Sequence, residues 1–140
     1  MFKIALVGRP NVGKSTLFNA LVEKRIAITH ETPFATRDTI LESIKSCPGV
    51  FIMDVPGLLE KAPDELTDKA MAMARQKLSE VDLIFFVLSA DEGITSSDLS
   101  LSRFVYSSGK PFKVLVNKCD RKFEKSEFYE FGEPFFLSAE

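Results

Sequence analysis

Eight residues near the amino terminus, Gly8-Arg9-Pro10-Asn11-Val12-Gly13-Lys14-Ser15, sit between an apolar run at 2–7 and a helical stripe at Leu17, Phe18, Leu21 and Val22. The pattern G-x-x-x-x-G-K-[ST] is rare, and between a strand and a helix it has one mechanical use. Its glycines let backbone N–H groups curl round an anion, and the helix start adds the positive end of a dipole. The arrangement dictates a strand, a tight loop and a helix, with phosphate as the ligand. Gly8, Asn11, Val12, Gly13, Lys14, Ser15 and Thr16 form the expected cradle. Lys14 is placed to reach β- and γ-phosphates, and the Ser15 hydroxyl to ligate Mg²⁺.

The rest of the chain alternates short apolar runs with helical patterns. Residues 39–45 alternate as an edge strand does, and Cys47-Pro48-Gly49 turns them into a second strand at 50–53. A helix is expected from about residue 64, with Leu66, Ala70, Met73, Ala74 and Leu78 on one side. The run 83–88 is apolar throughout, as a parallel strand buried on both faces should be. Ser96 or Ser97 is the expected cap of a further helix with Leu101, Phe104 and Val105 inward, stopped by Gly109 and Pro111. A strand at 112–116, a short helix at 124–131 and a strand at 135–137 complete the series. This is an α/β pattern, a three-layer doubly wound sheet, mostly parallel with one antiparallel edge strand. A length of 140 residues with 45% hydrophobic content suits one domain, 1–140, with one core. A closing C-terminal helix over the last strand is absent, so the expectation is a fragment of a longer protein.

Asn117-Lys118-Cys119-Asp120 follows the strand at 112–116 and so lies at the carboxyl end of the sheet. An ionised Asp120 accepts only, which suits the two donors on guanine's edge. Adenine would leave that carboxylate unpaired, at a cost of a few kcal/mol. Asn117 and Lys118 brace the loop, with the Lys118 stem over the base. Beyond the last strand, Ser138 and Ala139 stand where the Ala139 N–H can face the guanine oxygen.

Asp54-Val55-Pro56-Gly57-Leu58 ends the second strand after the phosphate loop. Asp54 can hold Mg²⁺ through a water, and the Gly57 N–H can touch the γ-phosphate. A threonine between these motifs is needed to complete the Mg²⁺ shell, and Thr36 and Thr32 both compete for it. Leu58 falls where many GTP hydrolases carry a glutamine that orients the attacking water. An aliphatic side chain cannot do that. Arg9 and Arg37 can each be imagined as an internal source of positive charge, but no spacing compels either.

The set GRPNVGKSTLFNALV, TPFATRD, DVPGL, SADEGIT, SGKP, NKCD and GEPFFLSAE resembles the first GTPase domain of the Der (EngA) family of bacterial ribosome-assembly GTPases. The resemblance covers essentially the whole chain, and Era and TrmE share part of it. It implies a GTP- and Mg²⁺-binding GTPase, with two tandem GTPase domains and an RNA-binding-like domain in the whole protein. It implies a role in large-subunit maturation, and it favours Thr36 over Thr32. In such relatives the asparagine of GRPN helps bind potassium beside the phosphates; in this chain that residue is Asn11. The resemblance therefore implies a catalytic set of Asn11, Lys14, Thr36 and Gly57, with Ser15, Thr36 and Asp54 at Mg²⁺. Departures are Pro56 in place of a customary Gly, Phe34 in place of another, and Ser89 in place of Asp.

Composition bounds the partners. A net charge of −2 gives no basic field for nucleic acid or membrane, so ribosome or rRNA contact is expected only through domains beyond this chain. Neither DNA nor membrane is an expected partner. Two distant cysteines, no leader-like start and no long apolar run point to a cytoplasmic protein. His30 is expected to be a solvated loop histidine, and Cys119 a small packing residue. Phe123, Phe128, Phe131, Phe135 and Phe136 gather near the end, some of them left uncovered. The leading expectation is a GTP-hydrolysing switch domain. Alternatives are a nucleotide-dependent binding module with negligible turnover, the G domain of an Era- or TrmE-like GTPase, or an adenine-nucleotide kinase, the last opposed by NKCD.

Overall fold

The computed structural model describes residues 1–9, 12–22, 40–54, 68–119 and 124–139. Its elements run β1 (Phe2–Val7), α1 (Lys14–Val22), β2 (Ile40–Ser43), β3 (Val50–Asp54), α2 (Asp68–Ser79), β4 (Leu83–Ser89), α3 (Ser96–Ser107), β5 (Phe112–Asn117), a 3₁₀ helix (Lys125–Phe131) and β6 (Phe135–Phe136). One sheet takes the order β2-β3-β1-β4-β5-β6. β1 is parallel to both β3 and β4, β5 to both β4 and β6, and only β2–β3 is antiparallel. The expected doubly wound, mostly parallel sheet with an antiparallel edge strand is the one observed.

Alternation along the strands sorts the core into two layers. Ala5, Val7, Ile84, Phe86, Leu88, Val114 and Val116 face α2, α3 and the 3₁₀ helix, meeting Leu78, Leu101, Phe104 and Phe128. Ile4, Leu6, Val87 and Leu115 face α1, meeting Leu17, Phe18 and Val22. β4 therefore buries side chains on both faces, which is why its sequence is apolar without a break.

Two local expectations change, and a third, the short helix before the last strand, is refined. In α2 the inward residues are Met71, Ala74 and Leu78, while Met73 is exposed. Positions 71, 74 and 78 keep to one helical face, and Met73 stands a full residue's rotation away from Ala74. The cap of α3 is Thr95 rather than a serine, in a reciprocal capping box with Asp98. The segment before β6 is a 3₁₀ helix. Its buried residues, Phe128 and Phe131, are three apart, which suits three residues per turn.

On the α1 side the cover is incomplete. Leu17, Leu21, Phe85, Leu115, Phe135, Leu137 and the Lys113 stem line an apolar groove of about 380 Å³. Phe135 is 56% exposed there, whereas Phe128 is fully buried, so the terminal phenylalanines divide between core and surface as expected. No helix among the described residues is long and apolar enough to cross a membrane.

The two layers are testable against each other. Phe86→Ala, at a fully buried ring on β4, should cost about 3–5 kcal/mol in urea unfolding. Phe135→Ala should cost less than about 1.5 kcal/mol. A reversed ranking would mean that the core lies elsewhere.

Candidate functional site

Five strands end on the same side of the sheet, and the chain's crossovers reverse direction at β1. From β1 it winds to β3 on one side, then returns past β1 to β4 on the other. The crevice at such a reversal is where this architecture takes its ligands. Gly8 and Arg9 leave β1 there, Asp54 ends β3, Asn117 ends β5, and Ser138 and Ala139 follow β6.

The phosphate loop is pressed against its neighbours. A Cβ on Gly8 would meet the Val87 carbonyl at 2.9 Å. Gly13 has φ +90°, and a Cβ there would overlap the Asn117 amide nitrogen. Both contacts exclude any other residue. The Leu17 N–H donates to the Gly13 carbonyl at 2.9 Å, so α1 begins directly behind the loop. First-turn N–H groups, those of Lys14, Ser15 and Thr16, have no carbonyl behind them to bond. With no acidic residue in that turn, the helix start suits an anion.

Lys14 Nζ lies 3.9 Å from Asp54 Oδ1, with both side chains nearly buried. The crevice thus brings a cation to the buried carboxylate that ends β3, and Ser15 follows Lys14 in the first turn of α1. Hydroxyl and carboxylate oxygens are hard donors of the kind Mg²⁺ accepts. Among the described residues no group of three or more His, Cys, Asp or Glu is placed to hold a metal. Mg²⁺ fits the residues present when a nucleotide's phosphates fill the remainder of its shell, its usual mode of binding.

Asn117 ties the site together. Its amide donates to the Val12 carbonyl at 2.9 Å, and its Oδ1 accepts from the Ala139 N–H at 3.0 Å. The Ala139 N–H, expected to face a guanine oxygen, donates here to Asn117. Lys118 takes φ 65°, and its Cε would lie 3.9 Å from a Cβ on Gly13, so its stem crosses the phosphate loop. Cys119 is structural: its N–H donates to the Leu137 carbonyl and its Sγ to that of Val116. Asn11, Thr36, Thr32, Gly57, Leu58, Asp120, His30, Phe34, Pro56 and Arg37 lie outside the described residues.

Two side chains make contacts that no local sequence pattern specifies. Ser89 is buried and donates to Asp91. Arg9 directs Nε to Asp98 and one Nη to Glu92, each at 3.1 Å. A guanidinium engaged by two carboxylates of the β4–α3 segment is not poised as an internal finger over the phosphates. The Thr95-x-x-Asp98 capping signature is the one local clue to Asp98.

A family model described as 50S ribosome-binding GTPase matches residues 3–118. The chain is 40% identical to GTPase Der of Rhizobium meliloti over 145 residues, covering 99% of this chain and 30% of that protein. GTPase Der of Bartonella bacilliformis is 41% identical over 143 residues, with 98% and 30% covered. The chain thus spans 30% of the length of these relatives. Among solved structures, Era in complex with MgGDPNP and nucleotides 1506–1542 of 16S ribosomal RNA superposes with a TM-score of 0.74. It is 28% identical, with 99% of this chain and 51% of that chain covered.

Asn117 offers the direct check on this geometry. Asn117→Ala strips the Val12 carbonyl and the Ala139 N–H of a partner each. It should lower the unfolding free energy of the nucleotide-free protein by about 1–3 kcal/mol. An unchanged urea midpoint would mean that the amide does not tie the two loops.

Proposed function

Because the chain belongs to the family of 50S ribosome-binding GTPases, which its residues 3–118 match, we propose that it is the guanine-nucleotide switch domain of a Der-like protein acting in large-ribosomal-subunit assembly. The observation that carries this is the position of Asn117, bonded at once to the phosphate loop and to the Ser138–Ala139 turn. One amide holds the phosphate-binding and base-reading segments in a fixed relation, as recognition of a whole nucleotide requires.

In this reading the N–H groups around Gly13 to Thr16 bind the phosphates, with Lys14 on the β- and γ-oxygens. Ser15, Thr36 and Asp54 hold Mg²⁺, which offsets charge on the transferring phosphoryl group. Thr36 and Gly57 sense the γ-phosphate, and Asp120 reads guanine. The reaction takes GTP to GDP and phosphate. Likeness to Der and to Era, the latter solved with a segment of 16S ribosomal RNA, supports a ribosomal partner. Net charge −2 argues that such contact runs through other domains. Residues 1–140 are then one G domain of a longer protein. The groove between α1 and β4–β6 is the face that a further helix would close.

Two measurements test the reading. Asp120→Asn should weaken GDP and favour xanthine nucleotides, since the amide can donate where the carboxylate only accepted. GDP affinity that stays within about threefold, under 1 kcal/mol, would remove Asp120 as the base reader. Leu58 leaves the attacking water without a side-chain partner, and a potassium ion at Asn11 is our candidate for the missing positive charge. Turnover should be slow in sodium and faster in potassium, and Asn11→Ala should abolish the difference. Equal rates in both salts would leave a partner acting in trans, or a module that binds nucleotide with negligible turnover.

A further inference from the structure

Asp98 is buried far more deeply than its local task requires. A capping-box carboxylate serves its helix equally well at the surface, yet Asp98 is fully buried. Its Oδ2 accepts from the Thr95 N–H at 2.9 Å, from Thr95 Oγ1 at 3.1 Å and from Arg9 Nε at 3.1 Å. Its Oδ1 is buried without a hydrogen-bond partner among the described residues. Ionised carboxylates are kept in such places by an opposite charge. For Asp98 that charge comes from a residue 89 positions earlier, inside the phosphate loop. Glu92, with its side chain 43% exposed, takes a second face of the same guanidinium.

The consequence lies in how the phosphate loop is held. Its second limb, Val12-Gly13, is fixed by Asn117. Its first limb, Gly8-Arg9, is fixed by β4 beneath Gly8 and by α3 through Arg9. The pairing of Val7 with Phe86 brings these segments side by side. We propose that Arg9 is a positioning residue. Its ion pair with Asp98 sets the first limb of the phosphate loop against the capping box of α3, and Glu92 links that setting to the surface. Occupancy or displacement of residues 90–95 then alters how firmly the nucleotide's phosphates are gripped. This rests on the nucleotide reading above and adds a specific control point to it.

The test separates positioning from mere stability. A buried ion pair can often be replaced by apolar residues of similar size without loss of stability, whereas removing one partner leaves a stranded charge. In the complete protein, Arg9→Met and Asp98→Leu alone should each lower the melting midpoint without nucleotide. Together they should bring it back to near the wild-type value. If Arg9 positions the loop, the double variant should still release a fluorescent GDP faster and cleave GTP more slowly in a single turnover. Each change should be on the order of tenfold or more, as expected when a binding loop shifts by a fraction of an ångström. A double variant that recovers the midpoint, GDP release and cleavage together would overturn the proposal and leave the pair purely structural. Should the double variant not fold, Glu92→Gln decides the matter. GDP release at least twofold faster supports the linkage, and unchanged release overturns it. Wild-type protein that binds no GDP would sink the nucleotide reading itself, a result distinct from both.

Discussion

The crevice depends on a single buried amide. Asn117 donates to Val12, 105 residues away in sequence, and accepts from Ala139, 22 residues away. An amide satisfies both bonds because it carries a donor and an acceptor on one planar group. Asp cannot donate, and Ser cannot span both distances. Gly13 has no side chain in part because the Asn117 nitrogen occupies the space where one would begin. The sequence requirement at residue 13 is therefore set by a residue on the fifth strand.

The sheet is clothed unequally. One face carries α2, α3 and the 3₁₀ helix, while the other, among the described residues, carries α1 and then open apolar surface toward β6. The Lys113 stem at the margin of that surface gives partial cover while keeping its charge in water. Gly8, Asp54 and Asn117 stand at the carboxyl ends of their strands. Two residues that line the groove also touch the crevice segments, since the Leu17 N–H donates to the Gly13 carbonyl and the Leu137 carbonyl accepts from the Cys119 N–H.

Much of the fold is legible because its signals are local. The glycine-lysine-serine loop between an apolar run and a helical stripe marks β1 and α1. The unbroken apolar run at 83–88 marks the strand buried on both faces. Boundaries and faces are harder to read. Met73 is apolar and lies near the inward stripe, but helix geometry chooses Met71. Ser96 and Ser97 are good caps by type, yet Thr95 is the residue whose third neighbour is an acid able to bond back. The Arg9–Asp98 pair is illegible because nothing local links residues 89 apart. Only the parallel pairing of β1 and β4 brings them together.

That same pairing governs the order in which the molecule can assemble as it is made. β1 emerges first, but its neighbours are β3 and β4, and Ile4 meets Leu83 across the sheet. Synthesis at roughly 5–20 residues per second separates those two residues by roughly 4–16 s. Through that interval a strand bound for the centre of the sheet has no second neighbour, and the α1 stripe has only a partial surface to rest on. Contacts this distant in sequence are slow to form. A strand central to the finished sheet is thus, during its birth, an edge open to a wrong partner.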